Sequence, residues 1–418
     1  MKILTRENTI LSIMGLTFGF VFVDRLSINF LMPFITQEFH ITNAQIGFLS
    51  SALSVSWAIS AYFLSHFCTR FGRRTEVLVA CVVLFSIFTL LSSIAASFML
   101  LVIIRILMGI AEGPVLPIAQ SILLEESSDK RRGFNMGFVQ NVSSNLFGSV
   151  LGPIVLIFVA EHYGWRHAFL VVGLPGLIVA FLIYKYVKLQ PHSPVIKEKK
   201  TEAVPFSLKR VFQNKNVVLS GILSCLMVAW MFSQLTFIPV YLTKIQGYSG
   251  YQMGSVMSVL GASAVISGLF VPMLSDMFGR ARVFRVFTLI AILCPLSVLY
   301  LAGNQTYMMI SLFFFYFGLG SIPIVMSIVP SESVPRQHVV GTLGFVMAVT
   351  ELLGGFSGPA ISGVLADMYG LNAPFYFAAG VAGIACLGSF LLLETSPKFK
   401  KRVGEDMHQP ATTQTLGR

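Results

Sequence analysis

The chain has 418 residues, 55% of them hydrophobic and only 11% charged, with a mean hydropathy of +0.79. A water-soluble domain carries about 25% charged residues, so this composition excludes a soluble enzyme or binding module and requires a polytopic membrane protein. The net charge of +11 does not make it a nucleic-acid binder. Of 29 Lys and Arg, Arg25 and Arg105 lie inside apolar runs, Arg166 and Lys244 in one set of alternate loops, and the remaining 25 in the opposite loops and the tails. This positive-inside distribution puts both termini in the cytoplasm, with the protein expected in the cell inner (plasma) membrane.

Apolar runs separated by charged or turn-rich breaks predict twelve spans, near 10–32, 42–65, 77–97, 99–124, 133–160, 167–188, 217–243, 251–274, 284–302, 306–330, 341–366 and 372–394. The head, residues 1–8, leads straight into the first run, and no A-x-A cleavage site precedes a second one, so the first run reads as an uncleaved helix. That first span carries Asp24 and Arg25 side by side. A charge at bilayer depth costs roughly 2.5–3.5 kcal/mol and normally faces a bundle interior or a wet cavity. Neighbours on a helix are about 100° apart, so the two cannot aim at one point. The simplest arrangement turns Arg25 into a central cavity and Asp24 toward span four. A guanidinium there can grip a substrate carboxylate through two parallel hydrogen bonds.

Span two holds Trp57 and ends in a basic loop, Arg70-Phe71-Gly72-Arg73-Arg74. Span four carries Arg105 and Glu112 on one face, about 10 Å apart along the axis and too far to pair directly. Burial favours the protonated form of a carboxyl and a nearby arginine favours the ionised form. Asp24 and Glu112 therefore suit proton carriage with Arg105 as tuning partner, where Arg105 could also touch substrate. A structural ion pair stapling spans one and four is the competing reading. Span five contains Gln140, Asn145 and Gly148-x-x-x-Gly152-Pro153, whose small residues and proline permit close helix packing and a bend.

The second half repeats the first. Glu161-His-Tyr163-Gly164 returns as Asp367-Met-Tyr369-Gly370, and Gly148-x-x-x-Gly152-Pro153 as Gly354-x-x-x-Gly358-Pro359, both 206 residues on. The loop at 70–74 returns at 277–281, 207 on. The expected architecture is all-α, with two pseudo-symmetric six-helix bundles at 1–188 and 217–397. A Lys-, Pro- and Ser-rich cytoplasmic linker at 189–216 joins them, with an amphipathic surface helix around 206–212, and a cytoplasmic tail follows at 398–418. Such repeats flanking a midplane site are a transporter arrangement. Glu351 in span eleven is the repeat mate of Asn145. It reads as a ligand contact, a further proton site or a structural hydrogen bond. The five cysteines show neither a C-x-x-C nor a metal spacing, so neither cofactor nor metal is expected.

The segment Ser65-His-Phe-Cys-Thr69-Arg70-Phe71-Gly72-Arg73-Arg74 resembles the G-x-x-x-D-R-x-G-R-[KR] signature of the major facilitator superfamily, with Ser65 in place of the glycine and Thr69 in place of the aspartate. The second copy, from Pro272, keeps Asp276, Gly279 and Arg280. The resemblance implies a twelve-helix carrier whose cytoplasmic side is latched by Arg70, Gly72, Arg73, Arg74, Asp276, Gly279 and Arg280, although topology alone also explains short basic loops. Asp24-Arg25 with Arg105-x-x-x-Gly109-x-x-Glu112-Gly113-x-x-x-Pro117 is similar to the anion:cation symporter branch, which includes galactonate and hexuronate permeases.

That narrower likeness implies substrate capture by Arg25 and proton sites at Asp24 and Glu112. It also implies an aromatic lining at Trp57, where helix packing is the alternative, and amide contacts to ligand hydroxyls near 145 and 351. Asn145 fits this pattern and Glu351 departs from it. Gln140, Trp230 and Gln234 are further lining candidates. The resulting expectation is a monomeric, proton-coupled importer of a small carboxylate, such as a sugar acid, by alternating access. A proton-driven exporter is the alternative. A membrane enzyme or sensor finds no motif.

Overall fold

In the computed structural model, residues 6–71, 73–128, 131–187, 213–335, 338–396 and 398 are described. They contain twelve helices long and apolar enough to cross a membrane. These are α1 (Arg6–Phe39), α2 (Asn43–Phe71), α3 (Arg74–Ser92), α4 (Phe98–Glu126), α5 (Arg132–Tyr163), α6 (Trp165–Tyr186), α7 (Lys215–Lys244), α8 (Gly250–Phe278), α9 (Arg280–Leu301), α10 (Gln305–Ser333), α11 (Gly341–Tyr369) and α12 (Ala373–Leu391). The expected surface helix at 206–212 lies outside the described residues, as do most of the linker and the C-terminal tail.

Each half packs in the same pattern. In the first, α2 lies on α4 and α3 on α6; in the second, α8 lies on α10 and α9 on α12. The α2–α4 crossing is backbone-close because Gly113 sits on α2: a methyl at Gly113 would lie 2.6 Å from Trp57 O and overlap the Ser60 hydroxyl. At the α8–α10 crossing, Gly320 meets Ser267 in the same way. Both members of this pair stand 207 residues after their counterparts, so the repeat extends to individual packing contacts. The turns between α5 and α6 and between α11 and α12 match too, with Gly164 at φ +88° and Gly370 at φ +86°, a left-handed conformation that glycine adopts without strain.

The halves meet along α2 and α11, α5 and α8, and α1 and α7. We call the end where α1 begins and α12 finishes the near end, and the other the far end. At the far end, Asp367 of α11 lays its carboxylate on the first turn of α2, accepting from Asn43 N (2.9 Å) and Ala44 N (2.8 Å). Of the other two amides at this helix start, Gln45 N donates to the Thr42 hydroxyl and Thr42 N to the Gln45 side-chain oxygen. All four N–H groups that a helix start leaves unpaired are thereby satisfied, half of them by the opposite bundle. Glu161, the repeat mate of Asp367, rests its carboxylate against Gly250 at the start of α8.

Below these contacts Ser51 donates to Phe356 O (2.7 Å), Ser258 donates to Val150 O (3.0 Å), and Gly47 packs on the Pro359 carbonyl. The far end is sealed by backbone-close contacts. At the near end, Arg6–Glu126 and Arg74–Glu125 lie within the first half and Arg280–Glu332 within the second.

Candidate functional site

Five ionisable side chains sit in the interior at mid-depth. Asp24 and Glu112 are fully buried, and Arg105 is 1%, Arg25 8% and Glu351 9% exposed. They form two groups on different faces of α1, in keeping with the 100° between Asp24 and Arg25.

Arg25 points to the seam between the halves. Its Nη2 donates to Glu351 Oε2 of α11 at 2.6 Å, a bond spanning 326 positions and joining the two bundles. Its guanidinium carbon lies 5.2 Å from the Trp57 ring centroid on α2 and 5.0 Å from that of Phe232 on α7. One ring comes from each half, both within cation–π range. One turn farther along α1, Asn29 accepts from Ser50 (2.9 Å) and Thr236 (3.4 Å), again one from each half.

Asp24 faces the interior of the first half, where its carboxyl neighbours are Arg105, Glu112 and Thr89. The competing reading, an ion pair stapling Asp24 to Arg105, takes a different form. Arg105 spends its Nη atoms on main-chain carbonyls, Nη2 to Arg25 O at 2.8 Å and Nη1 to Asp24 O at 3.3 Å. Among the described residues, no group lies at direct hydrogen-bond distance from a carboxylate oxygen of Asp24 or Glu112. Arg105 thus braces the α1 backbone where the Asp24 and Arg25 side chains diverge, and two carboxyl groups face each other with one guanidinium nearby.

Glu351 lies on a π-helical stretch of α11, Thr350–Gly355, and Asn145 on one of α5, Asn145–Leu151. Such widened turns often accompany functional sites. Asn145 turns its amide along its own helix, donating to Asn141 O (2.9 Å) and accepting from Ser149 (3.3 Å). Gln140 accepts from Gln120 of α4 at 3.0 Å. Trp230 does not line the seam. Its indole donates to Ala291 O and stacks on Tyr316 inside the second half, because it lies about 200° around α7 from Phe232. Gln234 is buried, one turn beyond Trp230, and neither of its amide atoms has a partner among the described residues.

Of the residues expected to form the gate, Gly72 and the Arg70 side chain lie outside the described residues. Arg73 is exposed beside Glu76, and Arg74 binds Glu125 at 2.6 Å. Arg280 binds Asp276 and, at 2.9 Å, Glu332. Gly279, at φ +101°, turns α8 into α9. Each of these ion pairs stays within one half. A crevice of about 340 Å³ between α5 and α8, lined by Pro153, Ile157, Phe158 and Tyr251, lies at the far end and is distinct from the charged seam.

Phe232 and the Asp367 and Glu161 contacts carry no assignment from sequence. A phenylalanine in an apolar span gives no signal, whereas the two acids stand in a repeated landmark that could have marked them.

The model of the Major Facilitator Superfamily matches residues 14–351 and 305–416. The hexuronate transporter of Bacillus subtilis (strain 168) is 27% identical over 414 residues, covering 94% of this chain and 95% of that protein. The D-galactonate transporter of Escherichia coli O6:H1 is 26% identical over 418 residues, covering 93% and 96%. Among solved structures, a bacterial homolog of the human lysosomal transporter Spinster superposes with a TM-score of 0.78 at 20% identity, over 95% of this chain and 98% of that one.

Proposed function

Since the chain belongs to the Major Facilitator Superfamily, we propose that it carries a small organic anion across the cell inner membrane, coupled to protons, by alternating access. The observation that carries this reading is Arg25, a buried guanidinium at the seam between the bundles, flanked by one aromatic ring from each. A cation held there attracts a carboxylate far more strongly than water would allow. Relatives named for hexuronate and galactonate transport support a hydroxylated carboxylate. Asn29 offers polar atoms one turn from Arg25 for such hydroxyls.

Proton coupling follows from charge counting. Asp24, Glu112 and Glu351 supply three negative charges when ionised, and Arg25 and Arg105 supply two positive ones. A proton on the Asp24–Glu112 pair makes the empty interior neutral, and two like charges close together resist joint ionisation. A monoanion entering that interior calls for a compensating proton.

Both termini face the cytoplasm in this reading, so the sealed far end is the outer one. The bundles at 1–188 and 217–397 rock about the site. In the opposite state the loops around Arg70, Gly72, Arg73, Arg74, Asp276, Gly279 and Arg280 form the closed side. An exporter of lipophilic cations would have little use for Arg25.

The test is uptake of labelled D-galactonate and a hexuronate by purified protein in liposomes. An inward proton gradient is expected to drive accumulation. Uptake that ignores the gradient would remove the coupling, and no uptake of any carboxylate in a broad panel would remove the substrate class.

A further inference from the structure

The Arg25–Glu351 pair has a role beyond neutralising a stray charge. We infer that Glu351 is the site's internal counter-anion: in the empty carrier it holds, on Arg25, the place that the substrate's carboxylate takes in the loaded one. The inference rests on the carboxylate reading above and adds a competitor built into the opposite bundle.

The geometry supports it in three ways. Glu351 Oε2 meets Arg25 Nη2 at 2.6 Å, the short, charge-assisted contact a bound carboxylate would make. Trp57 and Phe232 lie against the guanidinium, so an incoming carboxylate must approach the N–H edge that Glu351 already uses. The surroundings are also tight: a methyl at Gly355 would come within 3.0 Å of Ser54 Oγ and 3.2 Å of Glu351 Oε2. Little room remains beside the acid for a second anion on the same nitrogen.

A consequence for turnover follows. A carrier that accumulates solute must reorient while empty, and an unpaired guanidinium in a closing, dry interior opposes that movement. Glu351 arrives from the other half and removes the obstacle. Substrate then displaces it, and the proton that compensates the incoming anion leaves the freed Glu351 uncharged, so loaded and empty carriers present the same compensated Arg25 and both can cross. A carrier with Arg25 alone would bind anions well but return empty poorly.

The test compares wild type with Glu351→Gln in three measurements. The first is binding of the carboxylate from a D-galactonate, hexuronate and sulfoacetate panel that gives the largest wild-type thermal shift. The second and third are net uptake and homo-exchange of that same solute in liposomes. Removing the competitor is expected to tighten binding about tenfold, the scale of one charge-assisted hydrogen bond. Net uptake should fall about tenfold more than exchange, because only net uptake needs the empty return.

Weaker binding by Glu351→Gln would mean that Glu351 contacts the substrate directly and would overturn the inference while leaving the carboxylate reading intact. Equal loss of uptake and exchange would also overturn it. Glu351→Asp, which keeps the charge, is expected to restore net uptake relative to Glu351→Gln if the variant's defect is electrostatic; failure to do so assigns the defect to packing and refutes the inference. A wild type that binds no carboxylate through Arg25 defeats the functional reading itself.

Discussion

Replacing Gly47 by alanine should drive the far end open. Gly47 lies in α2 against α11, and its missing side chain is what allows the contact. A Cβ there would overlap Pro359 O, lie 2.9 Å from Pro359 C and 3.3 Å from Ala360 Cα. All three are backbone atoms, so no rotamer change relieves the overlap, and forcing a methyl into such a contact costs about 1–3 kcal/mol. Alanine also raises helix propensity by about 1 kcal/mol, but α2 is helical whichever end is open, so that gain cancels between states. The steric cost falls on the sealed state alone.

The ratio of sealed to open carriers should therefore drop about five- to 150-fold. Spin labels on cysteines at Ala96 and Asn372, exposed at the far ends of the two halves, with the native cysteines replaced, would report it as growth of a longer-distance population. Gly133→Ala, where nothing lies within 4 Å of the added methyl, serves as the control. An unchanged distance distribution for Gly47→Ala would refute the claim that backbone contact at this crossing holds the far end shut.

Three further outcomes are expected. Arg25→Lys keeps the charge but loses the planar fork and its stacking on Trp57 and Phe232, so carboxylate uptake should fall about tenfold or more; near-normal uptake would rule out capture by the fork. Glu112→Gln fixes one member of the Asp24–Glu112 pair in an uncharged form, so gradient-driven net uptake should be lost while solute exchange survives. Loss of both would assign Glu112 to structure. Asp367→Asn keeps the shape but removes the charge from the start of α2 and puts an NH2 where one of the two accepting oxygens stood. The far-end seal should weaken by about 0.3–1 kcal/mol, the usual worth of an acid at an exposed helix N-terminus, read as a smaller shift in the same spin-label distances than that of Gly47→Ala.

Sequence alone carried the fold far because its signals are local. Apolar runs long enough to span, broken by charge, give twelve helices, and repeated landmarks 206–207 residues apart pair the halves. The angle between adjacent helical side chains separated Arg25 from Asp24 correctly. What it could not supply were partners distant in the chain. Glu351 stood out as an interior acid, but its bond to Arg25 depends on how two bundles face each other across 326 positions. Arg105 was legible as a cation near Asp24, yet its hydrogen bonds go to carbonyls that every residue possesses. Trp230 and Phe232 are indistinguishable by type and depth, and only the rotation of α7 sends one into the second bundle and the other onto Arg25.

The acids on the opposing helix starts have one more implication. What receives Asp367 is a pair of main-chain amides, which any amino acid except proline provides. Side chains at positions 43 and 44 can therefore change without losing these two bonds, whereas position 367 cannot. Glu161, on the other side of the molecule, lies against Gly250 at the start of α8, so a movement that parts the bundles at the far rim must clear both places together.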